Sequence, residues 1–169
     1  IPPCHGGVRG SIPRRTATEF NMDTLIISLL ILCYSLVLGI IFAQVLLTAP
    51  VVFKVLDDQN ASKFLRKIFP RYYLLLLLIT LLALLISYLF FEIFDVYIAI
   101  VAVFFSFFGY IIIPLTNSAR DRGWDNLFKW LHNLSVFNTV VIMAIAILQI
   151  FRATTPVSYT HLRAHETYP

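Results

Sequence analysis

Charge is scarce in this chain. Asp, Glu, Lys and Arg supply only 13% of its 169 residues, about half the share of an ordinary soluble domain. Cysteine is scarcer still, with two copies, which excludes a disulfide framework and a thiolate zinc site. Cys4 lies in a stretch rich in Pro and Gly. Cys33 lies within a hydrophobic run, where a thiol serves as a small apolar packing residue. Between residues 22 and 155 there is a single histidine, His132, so neither a histidine metal site nor a doubly ligated b-type haem has its ligands. A Gly-rich phosphate loop and a nucleophile–base pair are also missing. The reading is therefore of a protein that is not an enzyme, with no cofactor and no metal site. What is abundant is apolar: 59% of the residues are hydrophobic. A soluble domain of this size exposes too much of its surface to hide that share, whereas lipid can cover what the protein cannot.

The two ends are set apart from the fold. Residues 156–167 read PVSYTHLRAHET, which resembles the translation of a sequencing-library transposase adapter, so 156–169 are expected to be read-through. Residues 1–21, rich in Pro, Gly and Arg and without hydrophobic period, read as a non-native or disordered extension ahead of Met22. The credible domain is 22–155. Within it nine basic residues face seven acidic ones, a net charge of +2 that gives no case for nucleic-acid binding.

Four runs are long and apolar enough to cross a bilayer: Thr24–Thr48, Tyr72–Phe91, Val96–Thr116 and Leu127–Phe151. The runs are continuous rather than alternating, so each is a helix and not a barrel strand. The expected fold class is all-α, a polytopic four-transmembrane-helix bundle. The connection 49–71 carries Lys54, Lys63, Arg66, Lys67 and Arg71, and the next basic stretch carries Arg120, Arg122 and Lys129. The opposite side has Asp23, the Glu92–Asp95 turn and only Arg152. The bias of Lys and Arg toward cytoplasmic loops then puts both basic connections in the cytoplasm and both termini outside, in a cell membrane of bacterial inner-membrane type. After Asn60, Phe64, Leu65 and Ile68 alternate with Lys63, Arg66 and Lys67. That spacing predicts a short amphipathic helix at the headgroups, between the first two spans, with Pro70 opening the second; a solvated basic loop fits the same residues.

Polar residues inside apolar runs carry most of the information, because lipid penalises them unless they find partners. Gln44 lies near the inner end of the first run. Tyr110 and Asn117 bracket Pro114 in the third, and His132, Ser135 and Asn138 follow each other at spacings of three in the fourth. Under the topology above all six fall in the cytoplasmic half, and they are expected to form one shared cluster of the first, third and fourth helices. The second helix is expected to supply aliphatic packing or face lipid. The cluster is either interhelical glue or a binding site, and the sequence leaves both open. Ser35, Gly39 and Ala43 form a small-residue stripe where another helix can approach closely. Pro50 and Pro114 are expected to bend their helices. The partners expected are the lipid bilayer and further copies of the chain; no nucleic acid is expected, and a small-molecule or metal ligand stays open.

In order along the chain stand G-x-x-F-A-Q and A-P-x-x-F (Gly39, Phe42, Ala43, Gln44; Ala49, Pro50, Phe53), then IFPRYY from Ile68 to Tyr73. Y-x-x-x-P-x-x-N (Tyr110, Pro114, Asn117) and F-x-x-x-H-x-x-S-x-x-N (Phe128, His132, Ser135, Asn138) follow. Their order and spacing resemble the transmembrane-protein-205-like family over about 22–155. That resemblance implies a compact four-helix membrane domain with no established reaction. A structural or accessory role is one expectation; transport or metal and solute handling through the polar cluster is the other.

Overall fold

The computed structural model describes residues 17–155. The described residues are helical almost throughout, as α1 (Ala17–Phe42), a π-helical turn (Ala43–Thr48), α2 (Ala49–Val55), α3 (Asp58–Phe90), α4 (Ile93–Asp121) and α5 (Asp125–Thr154). Among the described residues four spans are long and apolar enough to cross a membrane: Met22–Val55, Asp58–Phe90, Ile93–Asp121 and Asp125–Thr154. The protein is a multi-pass four-helix membrane bundle. The part of the 1–21 extension that is described, residues 17–21, continues α1 upstream of Met22. The rest of it, and the 156–169 tail, lie outside the described residues.

A 3–4 alternation of buried positions builds the core. The first span buries Ile27, Leu30, Tyr34, Val37, Ile41 and Gln44; α3 buries Tyr73, Leu76, Thr80, Ala83 and Ser87. The α4 seam runs through Asp95, Ala99, Ala102, Ser106, Gly109, Ile113 and Thr116. Ser135, Asn138, Ile142, Ala146, Gln149 and Ala153 line α5. Spacing of this kind keeps one narrow stripe facing its neighbours, as in antiparallel bundles. α1 packs on α3 and α5, and α4 packs on the same two. The first span and α4 are therefore diagonal across the bundle. The remaining surface is apolar: Leu29, Leu32, Leu36, Leu78, Leu82, Leu85, Phe104 and Phe151 are all exposed. A patch of this extent does not stay in water and is the surface lipid covers.

The proline positions differ from expectation in an informative way. Pro50 does not end the first span. It lies in the first turn of α2, directly after the π-helical turn. Proline cannot donate to the carbonyl one turn earlier and its ring crowds that carbonyl. The widened turn absorbs the conflict, with the Ala49 N–H donating to the Gln44 carbonyl five residues back. The connection 49–71 is accordingly helix rather than loop, broken only at Leu56 and Asp57. The amphipathic segment is not a separate helix either. It is the first part of α3, which runs unbroken through Pro70 for 33 residues. Asp57, not Asn60, precedes the helix, and Asn60 Nδ2 donates to Asp57 Oδ1 at 2.6 Å. α4 likewise runs through Pro114. It stops at Gly123, whose φ of +68° suits glycine. There the Trp124 N–H donates to the Ala119 carbonyl and the Gly123 N–H to the Arg120 carbonyl, a Schellman arrangement.

Candidate functional site

Two polar layers cross the bundle. Their levels follow from the α3–α4 hairpin. Tyr73 and Gly109 are equally far from Phe91 along the chain, and a Cβ on Gly109 would lie 2.0 Å from the Tyr73 ring. Ser87 and Asp95 are equally far from Phe91 as well, so they share a level near the turn.

The inner layer is built on α3, α4 and α5. The Tyr73 hydroxyl lies 2.9 Å from Thr139 Oγ1 and 3.3 Å from the Ser135 carbonyl. Asn138 Nδ2 donates to the Phe105 carbonyl at 3.1 Å. Ser135 Oγ donates to the His132 carbonyl within its own helix. Of the six polar residues singled out above, this layer holds Ser135 and Asn138. Gln44 is buried in the first span, its Nε2 without a hydrogen-bond partner. His132 is exposed. Tyr110 and Asn117 line an open groove with Arg66, Pro70, Pro114, Ser118 and Asp121 instead.

The six therefore do not form one cluster. The seven-residue offset from Tyr110 to Asn117 fixes one helix face, and that face is not the seam of Ser106, Gly109 and Ile113. The second span, expected to supply mostly aliphatic packing or to face lipid, supplies Tyr73 at the centre of the layer. Ser35, Gly39 and Ala43 are exposed, and a Cβ on Gly39 would meet nothing within 4 Å. The first span meets its neighbours through the Tyr34, Val37 and Ile41 face, and the close approach of helices is at Gly109.

The outer layer was not legible as a cluster. Asp95 is 1% exposed in the first turn of α4. Its Oδ1 accepts from Gln149 Nε2 at 3.1 Å and from Arg152 Nε at 2.9 Å. Arg152 also lies over the Phe94 ring, 4.5 Å from its centroid. Buried and without hydrogen-bond partners are Ser87 Oγ at the same level, Gln149 Oε1 and the Tyr34 hydroxyl. An available signal was the antiparallel pairing of adjacent helices, which sets the start of α4 against the end of α5. Asp95 and Arg152 look instead like interfacial charges in one-dimensional reading. The two levels are about 21 Å apart, since 14 residues separate Asp95 from Gly109 at roughly 1.5 Å each. Ala99, Ala102, Ile142 and Ala146 fill the interval. Thr80, buried in the same interval, donates to the Leu77 carbonyl of its own helix.

Three helix-to-helix links stand out in these layers: Tyr73 with Thr139, Asn138 with the Phe105 carbonyl, and Asp95 with Gln149 and Arg152. Among the described residues no group of three His, Cys, Asp or Glu is placed to hold a metal. Asn138 tests the strength of the inner layer. Asn138→Leu removes one interhelical hydrogen bond together with the buried Oδ1 that has no partner. The expected loss is small, about 0.6 kcal/mol, or roughly 2 °C in melting temperature in detergent. A drop well beyond that would show the layer to be a cooperative network.

In comparison with known families, residues 32–125, more than half of the chain, match the family described as a domain of unknown function (DUF4149). The match takes in most of the first span and all of α3 and α4. No curated protein and no solved structure matches the chain.

Proposed function

The chain belongs to that family, and from this premise we propose that it is a small structural or accessory membrane protein rather than an enzyme. One observation carries the reading: three sets of buried side-chain hydrogen bonds join one helix to another. Tyr73 meets Thr139, Asn138 meets the Phe105 carbonyl, and Asp95 meets Gln149 and Arg152. The same motifs that resemble the transmembrane-protein-205-like family, from Gly39 to Asn117, lie inside the matched residues and support a kinship with it. A second reading, transport or handling of a metal or small solute, draws on the buried polar atoms that have no partner, among them Gln44 Nε2, Ser106 Oγ and Asn138 Oδ1. Reconstitution in liposomes separates the two. The accessory role expects flux of metals and small anions equal to that of protein-free vesicles. A protein-dependent flux that Asn138→Leu abolishes would replace it with transport.

The orientation proposed is basic end in the cytoplasm, within a bacterial inner membrane, on the strength of the Lys and Arg bias. Cysteines placed at Asn60 and Asp125 test one side and a cysteine at the exposed Ile93 the other, in a background where Cys4 and Cys33 are alanine. In intact cells an impermeant thiol reagent should label only the Ile93 site. The reverse pattern would invert the topology.

A further inference from the structure

We propose that the groove between the first third of α3 and the end of α4 binds the phosphate headgroup of an anionic phospholipid.

Depth is the first argument. At about 1.5 Å per residue, α3 is roughly 50 Å long, well beyond the roughly 30 Å of a hydrocarbon core. Counting back about 20 residues from Phe90 uses up that core near Arg71. The segment 58–70 therefore stands in the headgroup layer. The end of α4 stands beside it, because Arg66 and Asp121 form a two-pronged ion pair. That pair fixes the width of the groove.

Charge is the second. An upper cavity of about 440 Å³ is lined by Lys63, Arg66 and Arg120, with Asp58, Gln59 and Ser62. Arg66 is neutralised by Asp121. Neither Lys63 nor Arg120 forms a close carboxylate ion pair among the described residues, although Asp121 acts on Arg120 electrostatically as well as on Arg66. Arg120 lies instead over the Phe128 ring, 5.8 Å from its centroid. Two cations thus face an opening that holds one carboxylate, and Ser62 and Gln59 add neutral donors of the type that binds phosphate oxygens.

Shape is the third. A second cavity of about 450 Å³ shares Arg66 and continues past Asn117 to Pro70, Pro114 and Tyr110. Tyr110 is 39% exposed on the lipid side. The groove therefore passes from charged to apolar walls in the direction in which a lipid passes from phosphate to acyl chain. A soluble anion would use only the upper half of it.

The test uses the whole protein in a neutral detergent, titrated with phosphatidylglycerol, with phosphatidylcholine of the same acyl chains, and with inorganic phosphate. Retained adducts are read by native mass spectrometry and stabilisation by melting temperature. Phosphatidylglycerol should be retained and should raise the melting temperature, and the other two should not. The K63Q/R120Q variant should bind it roughly tenfold or more weakly, with its lipid-free melting temperature unchanged. The K67Q/R71Q variant removes as much charge from the same end without touching either cavity, and should bind like the parent. Equal loss in both variants would reduce the effect to diffuse surface attraction and overturn the site. So would equal retention of phosphatidylcholine, or full binding by K63Q/R120Q. Saturation by inorganic phosphate alone would make it an anion site and not a lipid one.

Discussion

Arg152→Leu should be the most damaging single change at the outer layer, lowering stability by about 3–5 kcal/mol. The reason lies in what it leaves behind. Asp95 is 1% exposed, and Arg152 is its only basic ion-pair partner among the described residues. Without the guanidinium the carboxylate keeps one donor, Gln149 Nε2. A lone hydrogen bond does not repay the desolvation of a carboxylate. Replacing the charge as well should relieve most of the damage. In D95N/R152L the asparagine keeps an acceptor for Gln149 and has no charge to strand. Its melting temperature in detergent should lie well above that of R152L alone. Additive single and double losses would show that the two side chains are not energetically coupled. R152L melting with the parent would show that Asp95 is reached by water and that its burial is not decisive.

The class of fold was legible because lipid imposes one strong rule. Backbone groups must be satisfied within the segment, so an uncharged apolar run of about 20 residues can hardly be anything but a helix. The runs around Leu78 and Phe104 follow that rule without ambiguity. Their ends do not. Beyond the hydrocarbon layer the helix is held by its own propensity and by contacts such as Arg66 with Asp121, which join residues 55 positions apart. Pro50 and Pro70 flank what reads in one dimension as a connection, yet both are carried at the start of or inside continuing helices, and Pro114 lies inside α4 within the expected third run.

The polar residues divide in the same way. Depth could be counted from the sequence, and Ser135 and Asn138 do lie inside the bundle. Which way a face turns could not be counted. Tyr110 and Asn117 share a face, as their spacing requires, but that face looks into the groove beside Pro70. The ring order of the helices decides this, and it pairs the first span with α3 and α5 rather than α4. Tyr73 and Asp95 were not assigned to the bundle interior because both sit where aromatic and charged residues normally mark an interface.

Gly109→Ala carries the sharpest prediction for packing. One methyl group on α4 would meet Tyr73 Cε1 at 2.0 Å and Cδ1 at 2.4 Å. Something must move, and the ring is poorly placed to do so. Tyr73 is 2% exposed, lies edge-on to Tyr72 with ring centroids 4.9 Å apart, and is tethered to Thr139 by its hydroxyl. Overpacking of this kind costs about 1–3 kcal/mol, against a gain in helix propensity of at most about 1 kcal/mol. The same substitution at Gly39 meets nothing and should be neutral or slightly stabilising. The contrast is diagnostic, because a small-residue stripe read from sequence alone ranks Gly39 above Gly109. Melting curves in one detergent decide it. G109A should melt lower than the parent and G39A should not. Adding Tyr73→Leu to G109A should recover part of the loss relative to the sum of the two single changes, since the shorter side chain vacates the space the methyl needs. If G109A melts with the parent, α3 and α4 separate freely at this level and the tight seam is not what holds the hairpin. If G39A is the damaging change, the exposed stripe is an interface between copies of the chain, and its partner lies outside the single bundle.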